Sequence, residues 1–183
     1  MTTKRAWLDE GLRVVAEESV GALRIDRLAE ALGVSKGSFY HHFGGGMRGY
    51  QQELLAHYER QHTYRFIDVV ESADQTPTEK LQLLRRMVID DESEQPRLEV
   101  NIRSWAAQDS EVRRVLERVD ATRIEYLRSL WRDVSGDAEE AVLMGRLLYV
   151  VLIGAHHVLP QLDTKSIDDL YGFVLAPALR RQQ

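Results

Sequence analysis

Six histidines and no cysteine limit the chemistry open to this chain. Without thiols there can be no disulfide, thiolate metal site, cysteine nucleophile or redox switch. His41-His42 and His156-His157 are adjacent pairs, and neighbouring side chains on a helix diverge by about 100°, so neither pair can easily chelate one ion. Glu53 and His57 are spaced to share an ion across one helical turn, but no third ligand lies at comparable spacing. Neither metal nor any other cofactor is therefore expected. Gly44-Gly45-Gly46 is followed by no Gly-Lys-Ser/Thr and preceded by no strand, and Gly33 to Ser38 lacks the spacing of a phosphate loop. Serine, histidine and aspartate are scattered without a nucleophile elbow, so no enzyme is expected either.

A different chemistry is carried by residues 21–43, GALRIDRLAEALGVSKGSFYHHF, which have the pattern of two short helices joined by a tight turn. Ala29 is small where the helices cross, and Gly33 can supply the turn's positive φ. Leu28, Leu32, Val34 and Phe39 form an apolar seam that fixes the angle. The second helix of such a unit offers its N-terminal residues and outer face to the DNA major groove. Here that face presents Lys36, Gly37, Ser38, Tyr40, His41 and His42. On spacing alone an ordinary helical hairpin remains the alternative.

The elements that must hold this segment read as helices throughout, with no clean apolar–polar alternation bounded by turns. A first helix carries Trp7, Leu8, Leu12, Val15 and Ala16 and stops near Gly21. The second runs from about Ile25 to Leu32, and Ser35 is placed to cap a third holding Phe39, Tyr40 and Phe43. A long helix follows from Met47 to about Val70. Thr76-Pro77-Thr78-Glu79 is a capping box opening the next, which reaches about Asp90. Asp91 to Pro96 breaks the chain. Helices over about 98–107, 110–133, 138–159 and 166–179 complete a count of about nine. The fold class is all-α: a three-helix helix-turn-helix domain over residues 1–46, then a larger helical domain over 47–183.

Charge and composition bound the partners. The 183 residues are 44% hydrophobic and 29% charged with a net charge of −5, which describes a folded chain rather than a disordered one. Residues 1–50 hold seven basic and six acidic residues, net +1, which leaves −6 for the remainder. Few phosphate contacts per subunit are expected, with specificity that depends on two half-sites engaged together. The N-terminus shows no signal-peptide pattern, and the longest apolar segment, Ala141 to Ala155, contains Arg146 and is shorter than the ~20 residues of a membrane span. A cytoplasmic protein with no membrane partner is expected. The helix over 138–159 is apolar around much of its circumference, and the last helix matches it. Leu147, Val151, Ile167, Leu170, Tyr171 and Val174 are the expected interface of a four-helix contact between two copies of the chain, with burial inside one subunit as the alternative.

The run LAEALGVSKGSFYHHF is similar to the signature of the TetR family of bacterial transcriptional regulators, with specific matches over about residues 5–60. The resemblance implies a homodimeric, ligand-responsive repressor of double-stranded DNA with a palindromic operator. It implies that Lys36, Gly37 and Ser38 face bases or phosphates, and that Tyr40, His41 and His42 touch phosphates or thymine methyls. Phe39 would be core, and Phe43 would lock the third helix to the first. Arg24 stands where the family often has a capping Thr, and Gly46 where it often has Lys, so Arg24 and Arg48 are the expected substitutes as phosphate contacts. A small-molecule effector site among the middle helices is also implied. Tyr58, His62, Phe66, Met87, Arg103, Trp105, Tyr126 and Trp131 combine bulk with a few polar tips and are its candidate lining, or else core. Arg103 could pair with an acidic ligand or with a neighbouring carboxylate. The other reading is a helical ligand-binding or protein-interaction module that keeps the scaffold without using DNA.

Overall fold

The computed structural model describes residues 2–92 and 96–180. All regular structure among them is helical: α1 (Lys4–Glu17), a 3-10 turn (Val20–Ala22), α2 (Ile25–Ala31), α3 (Lys36–His42), α4 (Gly46–Glu59), a π-helical turn (Arg60–Tyr64), α5 (Arg65–Glu71), α6 (Pro77–Glu92), α7 (Pro96–Gln108), α8 (Ser110–Ser135), α9 (Ala138–His157) and α10 (Thr164–Arg180). The expected single helix over 47–70 is thus α4 and α5 with a π turn between them. Counted together, they give nine helices among the described residues. The middle of the break expected at Asp91 to Pro96 lies outside those residues.

Local signals explain most boundaries. Thr3 caps α1 by accepting from the Ala6 N–H at 3.2 Å. The capping box closes α6: the Thr76 N–H donates to Glu79 Oε2 at 2.8 Å, and the Glu79 N–H returns to Thr76 Oγ1 at 3.4 Å. Asp137 caps α9 through the Glu139 and Glu140 N–H groups at 2.9 and 3.0 Å. α10 begins two residues before the expected Ser166, because the Asp163 carboxylate accepts from the Ser166 N–H at 2.7 Å. Ser35 holds the N-cap position of α3, but its side chain makes no capping hydrogen bond.

The chain forms two compact units, and the first takes more than residues 1–46. It comprises Met1–His62 and Arg97–Leu116. Hydrogen bonds explain why α7 joins it. The Asn101 side-chain NH2 donates to the Val15 carbonyl of α1 at 2.7 Å, and the Tyr58 hydroxyl donates to Glu99 at 2.5 Å. Such pairings join segments more than forty positions apart, so hydropathy spacing carries no trace of them. At the α7–α8 corner, Asp109 accepts from the Glu111 and Val112 N–H groups, and the Arg113 guanidinium donates to the Ala106 and Ala107 carbonyls.

The second unit comprises Thr63–Pro96 and Glu117–Gln183. Its core gathers Leu81, Leu130, Trp131, Leu148, Ile167, Tyr171 and Leu175. α8 and α9 approach closely at Gly145, where an added Cβ would lie 2.9 Å from the Arg128 nitrogen. Polar pairs join helices within this unit: Arg123 donates to Thr63 Oγ1 at 2.9 Å, the Tyr149 hydroxyl donates to Asp120 at 2.6 Å, and Arg85 binds Asp168 at 2.7 Å. No helix among the described residues is long and apolar enough to cross a membrane.

Candidate nucleic-acid interface

The turn between α2 and α3 is built from backbone hydrogen bonds. Leu32 N–H donates to the Leu28 carbonyl at 3.1 Å, Gly33 N–H to Glu30 at 3.0 Å, and Val34 N–H to Ala29 at 2.9 Å. Gly33 has φ +64°, a region in which a Cβ is strained, so the residue type meets a backbone demand. Ala29 and Leu28 are buried at the crossing.

Aromatic packing then fixes α3. Phe39 is fully buried and meets Trp7 of α1 edge-on at 5.4 Å, Tyr50 of α4 at 5.3 Å and Phe43 at 5.0 Å. The Tyr50 hydroxyl donates to the Trp7 carbonyl at 2.8 Å, closing the ring of contacts, and burial pushes its acidity well away from any physiological pH. Phe43 was expected to lock α3 to α1. α1 reaches it through the Lys4 ammonium, 5.3 Å from the ring centre, and its ring also meets Tyr50 of α4 at 4.9 Å. The direct α1–α3 ring contact is Trp7 with Phe39.

With the aromatic side of α3 buried, the other side is presented. Lys36, Gly37, Tyr40 and His41 are exposed, Tyr40 at 57%, and Ser38 is half-buried beside them. His42 differs from its neighbours: its Nε2 lies 3.0 Å from the Thr2 carbonyl, so the ring ties the segment before α1 to α3. Arg24 occupies the N-cap position of α2 without a capping bond, and its guanidinium lies exposed 3.6 Å from Asp26. The Arg27 backbone N–H, then the Arg24 and Lys36 charges, hold the Asp26 carboxyl below its ordinary range, so it remains negative at the edge of this face. Arg27 itself is paired with Glu18. Arg48 is also engaged, with Nη2 2.6 Å from Glu111.

The remaining candidates separate. Glu53 binds Lys4 at 2.5 Å and His57 binds Asp9 at 2.6 Å, so each has a partner other than a shared ion. No group of three potential metal ligands occurs among the described residues. Of the eight candidate effector residues, Tyr58, His62, Arg103 and Trp105 fall in the first unit, and Phe66, Met87, Tyr126 and Trp131 in the second. Within the first, Tyr58 stacks on His62 at 5.3 Å, and Arg103 faces Glu99 at 2.9 Å. Arg103 thus faces a neighbouring carboxylate within its own helix. Trp105 and Phe66 are buried, and Met87 is half-buried. In the second unit Trp131 is fully buried with its indole N–H 3.2 Å from Glu140, and the Tyr126 hydroxyl donates to Glu71 at 2.7 Å. Trp131 thus belongs to the core.

The expected dimer residues also divide. Ile167 and Tyr171 are buried in their own unit, the Tyr171 hydroxyl donating to the Leu148 carbonyl, because the 3.6-residue period turns them towards α9. They leave no surface for a second copy. Val151 and Val174 are half-buried against the same core, and Leu147 and Leu170 are exposed. Outside the expected set, Leu143, Val150 and Phe173 are 67%, 62% and 82% exposed. Spacing could have found them: Leu143 and Val150 share the stripe of Leu147, and Phe173 follows Leu170 by one turn.

Fold and site together define an all-helical protein with an N-terminal helix-turn-helix on a larger helical framework. Residues 8–45 match the family described as bacterial regulatory proteins, tetR family, and the chain carries that domain on the fold of TetR-family transcriptional regulators. Among solved structures it is similar over 97% of its length to a TetR-family transcriptional regulator from Streptomyces coelicolor, at 16% identity and a TM-score of 0.78, with 94% of that chain covered. A TetR transcription regulator from Haloarcula marismortui is 20% identical, with a TM-score of 0.71, 97% of this chain covered and 96% of that one. Escherichia coli NemR in its reduced form is 15% identical, with a TM-score of 0.70 and coverage of 100% and 96%. No curated protein matches the sequence.

Proposed function

We propose that the protein is a ligand-responsive transcriptional regulator, acting in the cytoplasm as a homodimeric repressor on a palindromic operator. The observation that carries the DNA reading is the division of α3: Phe39 and Phe43 anchor it inward, and Lys36, Gly37, Ser38, Tyr40 and His41 face outward. Lys36 at the start of α3 and the exposed Arg24 at the N-cap of α2 supply phosphate contacts, while Tyr40 and His41 offer an apolar ring and hydrogen-bonding nitrogens to base edges. His42 contributes through its hold on Thr2.

The homodimer is supported by the uncovered stripe of Leu143, Leu147 and Val150 on α9 and of Leu170 and Phe173 on α10. Large apolar residues clustered in this way call for a partner surface, and a second copy offers the same stripe. Dimerisation would set the two α3 helices about one DNA turn apart, roughly 34–36 Å. A ligand favouring another separation would shift the population away from DNA by its differential affinity. The effector's class is not part of this reading.

Fluorescence anisotropy against the gene's own upstream DNA and a scrambled duplex, at two salt concentrations, tests it. The expected result is tight, salt-sensitive binding to the native sequence only. Equal weak binding to both duplexes would instead favour the helical interaction module, a reading supported by the engagement of Arg48 and His42 within the protein.

A further inference from the structure

We propose that Glu111 is a built-in competitor for DNA: its carboxylate holds Arg48 in the free protein, and a backbone phosphate must displace it before Arg48 can contribute to binding. This rests on reading α3 and its surroundings as the DNA interface. Arg48 lies in the first turn of α4, where Gly46 offers no side chain for a phosphate, and its guanidinium is 2.6 Å from Glu111 on the first turn of α8. Both residues belong to the first compact unit. The pair is open to solvent, so a phosphate can reach it.

The two partners are not equally free to move. The Glu111 backbone is fixed by its N–H bond to Asp109 at 2.8 Å, within a corner that Arg113 pins to the end of α7. Its carboxylate also sits where the helix dipole of α8 favours negative charge. Arg48 projects from the helix start on a flexible stem, and a guanidinium binds carboxylate and phosphate with the same planar geometry. Glu111 therefore occupies Arg48 as a phosphate would, and the one side chain cannot serve both. Other cations near the DNA face are held differently: Arg27 pairs with Glu18 on the neighbouring segment, and Arg24 meets Asp26 only at 3.6 Å. α8 continues from Glu111 to the residues that carry Leu130 and Trp131 in the second unit's core, so the competitor stands on a helix both units share.

An exposed ion pair is a weak restraint, so the release of Arg48 should change affinity by about two- to five-fold per protomer. The test uses the full chain and labelled random-sequence duplex DNA at low salt, where phosphate contacts dominate binding. Wild type, Glu111→Gln, Arg48→Gln and the double variant are titrated by anisotropy, with thermal midpoints measured alongside. Glu111→Gln is expected to tighten binding, Arg48→Gln to weaken it, and Glu111→Gln to have no effect once Arg48 is gone. Loss of the gain in the Arg48→Gln background is what a general reduction of negative charge would not produce. An equal gain in both backgrounds, or none in either, overturns the proposal while leaving the DNA reading intact. Absence of duplex binding by the wild type overturns both.

Discussion

The helix-turn-helix and the α9–α10 pair solve opposite problems with similar apolar residues. Around α3, Phe39 and Phe43 are buried, the exposed Tyr40 still meets Phe39 edge-on at 5.6 Å, and Phe39, Trp7 and Tyr50 interlock three helices. Along α9 and α10, the inner stripe of Leu148, Ile167 and Tyr171 is satisfied, yet a second stripe from Leu143 to Phe173 remains in solvent. The first region is complete within one chain and displays polar chemistry outward. The second displays the hydrophobic surface itself, which is the ground for the proposed dimer.

The sharpest way to break this contrast is at Phe39. Phe39→Ala removes a fully buried ring that meets four aromatic neighbours, and a loss of about 3–5 kcal/mol is expected in denaturant unfolding of the transition that includes the first unit. A change under about 1 kcal/mol would mean that the cluster is not the anchor of α3.

On the other side, Leu147→Asp with Phe173→Asp places charge on the exposed stripe. Sedimentation should then report monomers where the wild type gives dimers, with association weakened by at least about 2 kcal/mol for losing central apolar anchors. Far-ultraviolet circular dichroism should be unchanged, because neither side chain contributes to the internal core. A dimer that persists at the wild-type concentration would remove this surface from the interface.

Two smaller effects sharpen the picture inside the second unit. Gly145→Ala pushes a methyl against the α8 backbone at Arg128, and destabilisation of about 1–3 kcal/mol is expected from overpacking. Thr76→Ala should cost about 1 kcal/mol by opening the capping box of α6. That deficit has a pH signature. Hydrogen bonds from Thr76 hold the Glu79 carboxyl below its ordinary value of 4.5, so its contribution is present above that value and is lost as pH falls through the depressed one. The gap between wild type and variant should narrow in the same acid range without closing, because the bond from the Glu79 N–H to Thr76 Oγ1 does not titrate, and a gap that stays constant there would show that the Thr76 hydroxyl does not act through the Glu79 carboxylate.

Residues that act through neighbours in sequence were legible before any coordinates. The Gly33 turn, the Thr76 box, the Gly-rich break and the nine-helix plan all follow from interactions spanning a few positions, and the outward set on α3 follows from a helical period. Tertiary pairing decided the rest. Nothing near Arg48 announces Glu111, nothing near Arg103 chooses Glu99 over a ligand, and nothing near His42 points to the Thr2 carbonyl. The same limit explains the dimer residues: a helix that is apolar on most sides carries two stripes, and only packing shows which one the chain keeps. Sequence by itself determined the helices, the Thr76 capping box and the Gly33 turn, because backbone demands and periodicity are local. Which cation is held in reserve, which apolar stripe stays outside, and that α7 joins the N-terminal unit were decided only when distant segments met, because burial and ion pairing depend on contacts that no local spacing records.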